Sequence, residues 1–383
     1  MNRIYLDYAA TAPVLSEVLD AMLPFFVSVY GNPSGIHANG RETRKAVEKA
    51  RRQTAEALGA ESREIVFTSG GSESNNLAIQ GTVFSLRGKG NHIITSRIEH
   101  PSVLNTCKWL ERQGFRVTYL PVDHEGMVSP DDLLNSINPE TVLVSIMTAN
   151  NEIGTVQPVT KIGEICREKG IVFHTDAVQA VGMLETDVLK MKADLLSLSA
   201  HKFHGPKGIG ALYIRKGIRI EPVIHGGGQE RGLRAGTENV PGIVGLGKAI
   251  EIAGKEREKN AEKFLELRDL LIRRIQEHVS DVQLNGHPEN RLPNNCHFSF
   301  SGIESEALLL RLDLAGISVS GGSACTSGSM EPSHVLQAIG LKNEMLRSGI
   351  RLTLGRETTR EEIETVARIL PEIVKDLREM SGR

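Results

Sequence analysis

Between residues 65 and 214, short β-branched and aromatic runs alternate with longer amphipathic stretches, and few folds accommodate that alternation. Strand-like runs lie at 64–68, 92–95, 116–120, 142–147, 171–174, 195–198 and 210–214. Helical patterns fall between several of them, at 72–86, 102–113 and 161–169. Strands separated by helices predict an α/β layer around a mainly parallel, seven-stranded sheet flanked by helices. Ligands bind such sheets beyond the carboxyl ends of the strands. The polar residues that close each strand are therefore the first candidates for a site.

After residue 243 the texture changes. A long charged helical stretch at 247–277 leads into a smaller α+β unit that holds the runs 296–300, 305–314 and 350–354 and a closing helix at 359–379. The expected division is a large α/β domain over 14–255 and a small α+β domain made from 1–13 and 256–383. A chain of 383 residues suits two cores.

Lys and Arg number 45 against 47 Asp and Glu, which gives no electrostatic case for direct nucleic-acid or membrane-surface binding. The densest basic run, 41–52, carries Ala46, Val47 and Ala50 at helical spacing and reads as a solvated helix face. No apolar run approaches the ~18 residues that a membrane span requires. The four cysteines, Cys107, Cys166, Cys296 and Cys325, form no CxxC pair, and no metal site is expected. With no secretory signal ahead of Ile4, a reducing cytoplasmic setting is expected.

Several short stretches carry chemistry. Thr68-Ser69-Gly70-Gly71-Ser72 takes a strand through a glycine turn into a helix, which gathers N–H groups and a hydroxyl for a phosphate; an ordinary Ser-capped turn reads the same way. Asp176 closes a strand-like run, where it can face a cation or cap the segment that follows. Lys202, in Ser199-Ala200-His201-Lys202, closes the next one. Lys207 is its rival but sits in a Gly-Pro-Lys-Gly turn, where exposure is expected. A lysine amine and an acid at one sheet edge suit pyridoxal phosphate, which needs a Schiff-base lysine and a carboxylate partner for its ring nitrogen. His100 follows another strand and can stack on a ring or move a proton. Cys325 lies in Gly321-Gly322-Ser323-Ala324-Cys325-Thr326-Ser327-Gly328, where glycine on both sides predicts a moving loop with a reactive thiol. The other three cysteines sit in apolar patterns and read as small core residues.

Together these stretches resemble the cysteine desulfurases of the NifS/IscS type, within the aminotransferase-like fold type I pyridoxal phosphate enzymes. The matching segments run from Tyr5-Leu6-Asp7-Tyr8-Ala9-Ala10-Thr11 to Arg351-Leu352-Thr353-Leu354-Gly355-Arg356. They include Gly31-Asn32-Pro33-Ser34, Glu99-His100, Arg234-Ala235-Gly236-Thr237 and Ser323-Ala324-Cys325-Thr326. The resemblance implies that Lys202 carries the cofactor, Asp176 pairs with its pyridinium and Gln179 bonds its phenolic oxygen. His100 would stack on the ring and handle thiol protons. Gly71, Ser72, Ser199 and His201 would hold the phosphate, joined by Thr237 from the second subunit of a homodimer. Asn32, Asn151 and Arg351 would bind the substrate, with Asn151 also beside the cofactor. The implied reaction converts L-cysteine to L-alanine and leaves a persulfide on Cys325. A sulfur-acceptor protein, an iron–sulfur scaffold or a tRNA thiolation enzyme, would then collect the sulfur. The alternatives are a selenocysteine lyase, another fold type I enzyme, or a cofactor-bearing regulator or scaffold.

Overall fold

The computed structural model describes residues 3–321 and 332–382. The expected seven strands form one sheet. In chain order they are β1 (Ile65–Thr68), β2 (His92–Ser96), β3 (Arg116–Leu120), β4 (Thr141–Ser145), β5 (Val172–Asp176), β6 (Leu195–Ser199) and β7 (Gly210–Ile214). Their spatial order is β1-β7-β6-β5-β4-β2-β3, and β7 alone runs against its neighbours β1 and β6. Helices such as Gly71–Ser85, Pro101–Arg112 and Val159–Lys169 connect and cover the strands. Burial on both faces accounts for the nearly continuous apolar character of the strands. Of the seven strands β3, at one edge, is the one only partly buried.

The opposite edge is closed by charge. Arg51, in the helix Ala38–Leu58, donates to the Ile65 carbonyl at 2.9 Å and forks onto both carboxylate oxygens of Glu230 at 2.8 Å. Glu230 accepts in turn from the Phe67 N–H, and Arg231 donates to the Ile65 carbonyl. The free backbone groups of the edge strand β1 are thus occupied, which protects it from pairing with another chain. The expectation that 41–52 is wholly a solvated face fails at Arg51, which is buried with its partner. Removing one member of such a buried pair costs about 3–5 kcal/mol.

A second sheet, all antiparallel, has the order Ser320–Gly321, Gly349–Thr353, Asn295–Phe300, Val282–Leu284. The helices Ser305–Leu314 and Arg360–Met380 pack against it, the latter opening with a reciprocal Thr359–Glu362 cap. The N-terminal strand Ile4–Tyr5 pairs with Ile317–Ser318 and delivers Leu6 to this second core. The two cores share one helix, Val240–His278. Its first half gives Ile243, Leu246 and Ile250 to the core of the large sheet, and its second half gives Phe264, Leu267, Leu271 and Ile275 to the other. It starts earlier than the charge pattern at 247–277 suggests, because Asn239 caps Gly242 N–H and Pro241 occupies the first turn. Among the described residues no helix is long and apolar enough to cross a membrane.

Candidate active site

A cavity of about 420 Å³ opens where β5 and β6 end, in the size range of small-molecule sites. Its walls include Gly71, Ser72, His100, Asn151, Asp176, Gln179, Ser199, His201, Lys202 and Arg351. Ten residues predicted from sequence therefore meet at one place. Asn32 and Thr237 do not line it. The exposed Asn32 turns its carboxamide back on the Ser34 N–H at 2.9 Å. Thr237 is also exposed, on a segment tied to the helix Gly71–Ser85 by Arg234 Nε–Glu73 Oε1 at 2.8 Å. Lys207 is exposed and outside the cavity, as its turn predicts. Cys325 lies outside the described residues.

The sheet side of the cavity is held by a chain of polar contacts. Asp176 is the last residue of β5; its carboxylate accepts from Asn75 Nδ2 at 2.7 Å and from Val178 N at 2.9 Å. The same Asn75 amide donates to Ser102 Oγ at 2.9 Å, and that hydroxyl lies 2.7 Å from His100 Nδ1. His100 also caps the helix Pro101–Arg112, accepting the Ser102 N–H at 3.1 Å. Burial pulls the His100 pKa down, with Lys202 and His334 acting the same way against Asp176. Lys202 Nζ donates to the carbonyls of Ala9 at 2.5 Å and Ala10 at 2.9 Å, so the N-terminal segment runs along the cavity. Gln179 Nε2 reaches the same Ala9 carbonyl at 2.9 Å. Burial, followed by Lys202 and Lys207, takes His201 down to about 4, so its imidazole is neutral at pH 7.

The turn into the helix Gly71–Ser85 needs its glycines. Gly70 has φ 154°, and a Cβ on Gly71 would stand 2.7 Å from Val178 Cγ2. Both lie against Ser199, so the helix N-terminus, Ser72, Ser199 and His201 share one corner of the cavity.

Facing them, Arg351 comes from the second sheet. Nη2 meets Asp7 Oδ1 at 2.9 Å and Nη1 meets the Asn151 carbonyl at 2.8 Å. Nε is buried without a hydrogen-bond partner among the described residues. An arginine held on one side with a free donor on the other suits a carboxylate.

Sequence reasoning missed Asn75, Ser102, Glu99, Glu152 and His334. Glu99 is fully buried beneath His100, where Ser96 Oγ and the Met147 N–H bond its carboxyl at 2.7 and 3.0 Å. Burial pushes it up to about 8. Glu152, also buried and raised to about 7, meets Ser333 Oγ at 2.5 Å. A strand-end acid, Glu99, directly ahead of a candidate histidine was a usable signal. The three unused cysteines are buried, and burial raises each thiol to about 12, which leaves them inert at neutral pH.

The class-V aminotransferase family model matches residues 4–366. Cysteine desulfurase IscS of Dictyoglomus turgidum is 56% identical, over 99% of this chain and 96% of its own length. The chain belongs to the cysteine desulfurases of the class-V aminotransferase family. A solved NifS-like protein superposes with a TM-score of 0.92 at 40% identity, covering 98% of this chain and 100% of its own. Another, SspA in complex with cysteine, has a TM-score of 0.82 at 42% identity, covering 92% and 98%. The fold is therefore that of the fold type I enzymes, the cofactor is pyridoxal phosphate, and the activity is removal of sulfur from cysteine. The side chains fit this cofactor. A buried carboxylate, a lysine amine and a glycine turn at a helix N-terminus surround one cavity, and among the described residues Asn75 Oδ1 beside them is buried without a partner.

Proposed function

We propose that this cavity binds L-cysteine and pyridoxal phosphate together, and that Cys325 receives the sulfur as a persulfide, leaving L-alanine. The carrying observation is the convergence of Lys202 and Asp176, from two strand ends, with an arginine whose Nε is unsatisfied. Lys202 carries the cofactor, Asp176 faces its ring nitrogen, Gln179 faces its phenolic oxygen and His100 covers its face. Gly71, Ser72, Ser199 and His201 hold the phosphate through the helix N-terminus and neutral donors. When bound, the cofactor supplies an electron sink for bonds at the substrate's α-carbon. Arg351 takes the substrate carboxylate and Asn151 orients it. Lys202 moves the α-proton, an assignment supported by its place in the cavity and by its amine chemistry.

The working unit is a homodimer in which Thr237 completes the partner's phosphate site and Asn32 serves the substrate. Supporting it are the exposed apolar side chains Leu19, Leu23, Phe26, Val27, Tyr30 and Ile36, gathered within one short stretch of the chain. We divide the chain into 14–255 and 1–13 with 256–383, a division supported by the two cores that share the helix Val240–His278. Free, buried cysteines favour a cytoplasmic setting. The acceptor is an iron–sulfur scaffold or a tRNA thiolation protein.

Mass spectrometry after L-cysteine is added without reductant tests this reading. One extra sulfur on the peptide bearing Cys325, together with free alanine, is expected. Alanine formed with no sulfur on that peptide, in enzyme trapped before any acceptor is added, overturns the role of Cys325.

A further inference from the structure

The cavity holds a second imidazole that the roles above leave idle. His334 opens the helix His334–Ala338, follows its cap Ser333 and lines the wall beside His100. Its Nε2 lies 3.0 Å from the Glu99 carbonyl oxygen. A carbonyl only accepts, so Nε2 carries the hydrogen and the neutral ring keeps its lone pair on Nδ1. Nδ1 has no hydrogen-bond partner among the described residues. His100 has the opposite arrangement. Its Nδ1 accepts the Ser102 N–H, so in the neutral ring the hydrogen sits on Nε2. One imidazole of the cavity thus presents a base and the other an acid.

We propose that His334 is a catalytic base of the desulfuration, taking through Nδ1 the proton of the attacking thiol, while His100 serves as the complementary acid. The proposal rests on the persulfide reading given above. The overall reaction requires both roles. An attacking thiol loses its proton to Nδ1 and keeps the electron pair on sulfur. That pair forms the S–S bond as the substrate C–S bond breaks, and the carbon left behind keeps the C–S pair and gains one proton. Two electrons pass from the sulfurs to carbon, and no outside oxidant or reductant is needed. One neutral imidazole with a single exposed function serves one of these proton transfers at a time; two of opposite tautomer serve both.

The charges around His334 favour its neutral form. Burial lowers its pKa, partly opposed by the Glu99 carbonyl, and Lys108 on the helix Pro101–Arg112 lowers it further. The imidazole of His100 faces it at the start of that helix. The Glu99 carboxyl, raised to about 8 by burial, is uncharged at pH 7, and Glu152 bonds the preceding Ser333. A neutral ring with a free Nδ1 is a competent base at pH 7.

The test pairs one variant with a spectroscopic readout. His334→Gln keeps an N–H donor for the Glu99 carbonyl and removes the base. Its cofactor absorbance and thermal midpoint should match wild type, its kcat for sulfide release should fall about 100-fold, and the acidic limb of its kcat–pH profile should disappear. Nitrogen NMR of histidine-labelled protein without cofactor should show the His334 signal, identified by its loss in the variant, as an Nε2–H tautomer. An Nδ1–H tautomer overturns the proposal whatever the activity. So does a variant that loses midpoint and rate together with its pH profile unchanged, the mark of a helix anchor. If the proposed function itself fails, wild type leaves no persulfide on Cys325, a result that does not depend on the His334 tautomer.

Discussion

The two walls of the cavity satisfy their polar groups to different degrees. On the side of the large sheet, the groups are already tied to neighbours: Asp176 to Asn75 and Val178, Lys202 to two carbonyls, His100 to Ser102. On the other side Arg351, and at the rim beside His100 the incoming His334, are each anchored at one end and keep one nitrogen unsatisfied among the described residues. A wall whose geometry is fixed in advance suits a group that stays through every turnover. Spare donors and acceptors suit a molecule that arrives and leaves. The difference separates holding from capture.

The largest expected effect falls on the holding wall. Lys202→Ala should be colourless and lose sulfide release by at least about a thousandfold. A yellow variant with the absorbance of covalently attached cofactor would put the attachment elsewhere and break the contrast. Asp176→Asn keeps the shape but removes the charge, and kcat should fall about 100-fold, in line with the loss of a charge-assisted contact; absorbance spectra with L-cysteine present check that the change follows the cofactor. Arg351→Lys probes the capturing wall. Losing the planar fork should raise KM for L-cysteine about tenfold while the resting spectrum stays the same. A changed resting spectrum with an unchanged KM would move Arg351 to the holding side.

The smallest effect is on stability. Glu99 holds its proton in the folded chain up to about 8, against an ordinary value near 4.5. Between those values the folded state binds more protons than the unfolded one, so this residue makes stability fall as pH rises from 4.5 to 8 and adds no slope above. Glu99→Gln mimics the protonated carboxyl and should flatten that slope, measured by urea unfolding at pH 5.5 and 8. An unchanged slope would show that Glu99 is ionised beneath His100.

The large sheet was legible because its strands are short apolar runs buried on both faces, and β3 and β7 fall at 116–120 and 210–214 as read from sequence. β4 was read too long, to Met147. Ile146 and Met147 are buried and apolar, but the pairing ends at Ser145; the Ile146 and Thr148 N–H groups still donate to the His174 and Asp176 carbonyls as the chain moves off toward Asn150 and Asn151. Lys202, Asp176 and Arg351 were legible through motif chemistry. Asn75 and Ser102 were not, since their importance lies in contacts with Asp176 and His100 that only the fold creates. Arg51 was misread for the same reason. Nothing in a basic run reveals that Glu230, far along the chain, will bury one of its arginines.

The shared helix Val240–His278 has a mechanical consequence. Its 39 residues make a cylinder about 58 Å long, embedded in both cores. Such a beam works like a pair of calipers, joining the unit that carries Lys202 to the one that carries Arg351 through continuous helix. Heat that loosens either core strips one half of the beam of its packing and weakens the grip of the other half. The two units should therefore melt as one cooperative body.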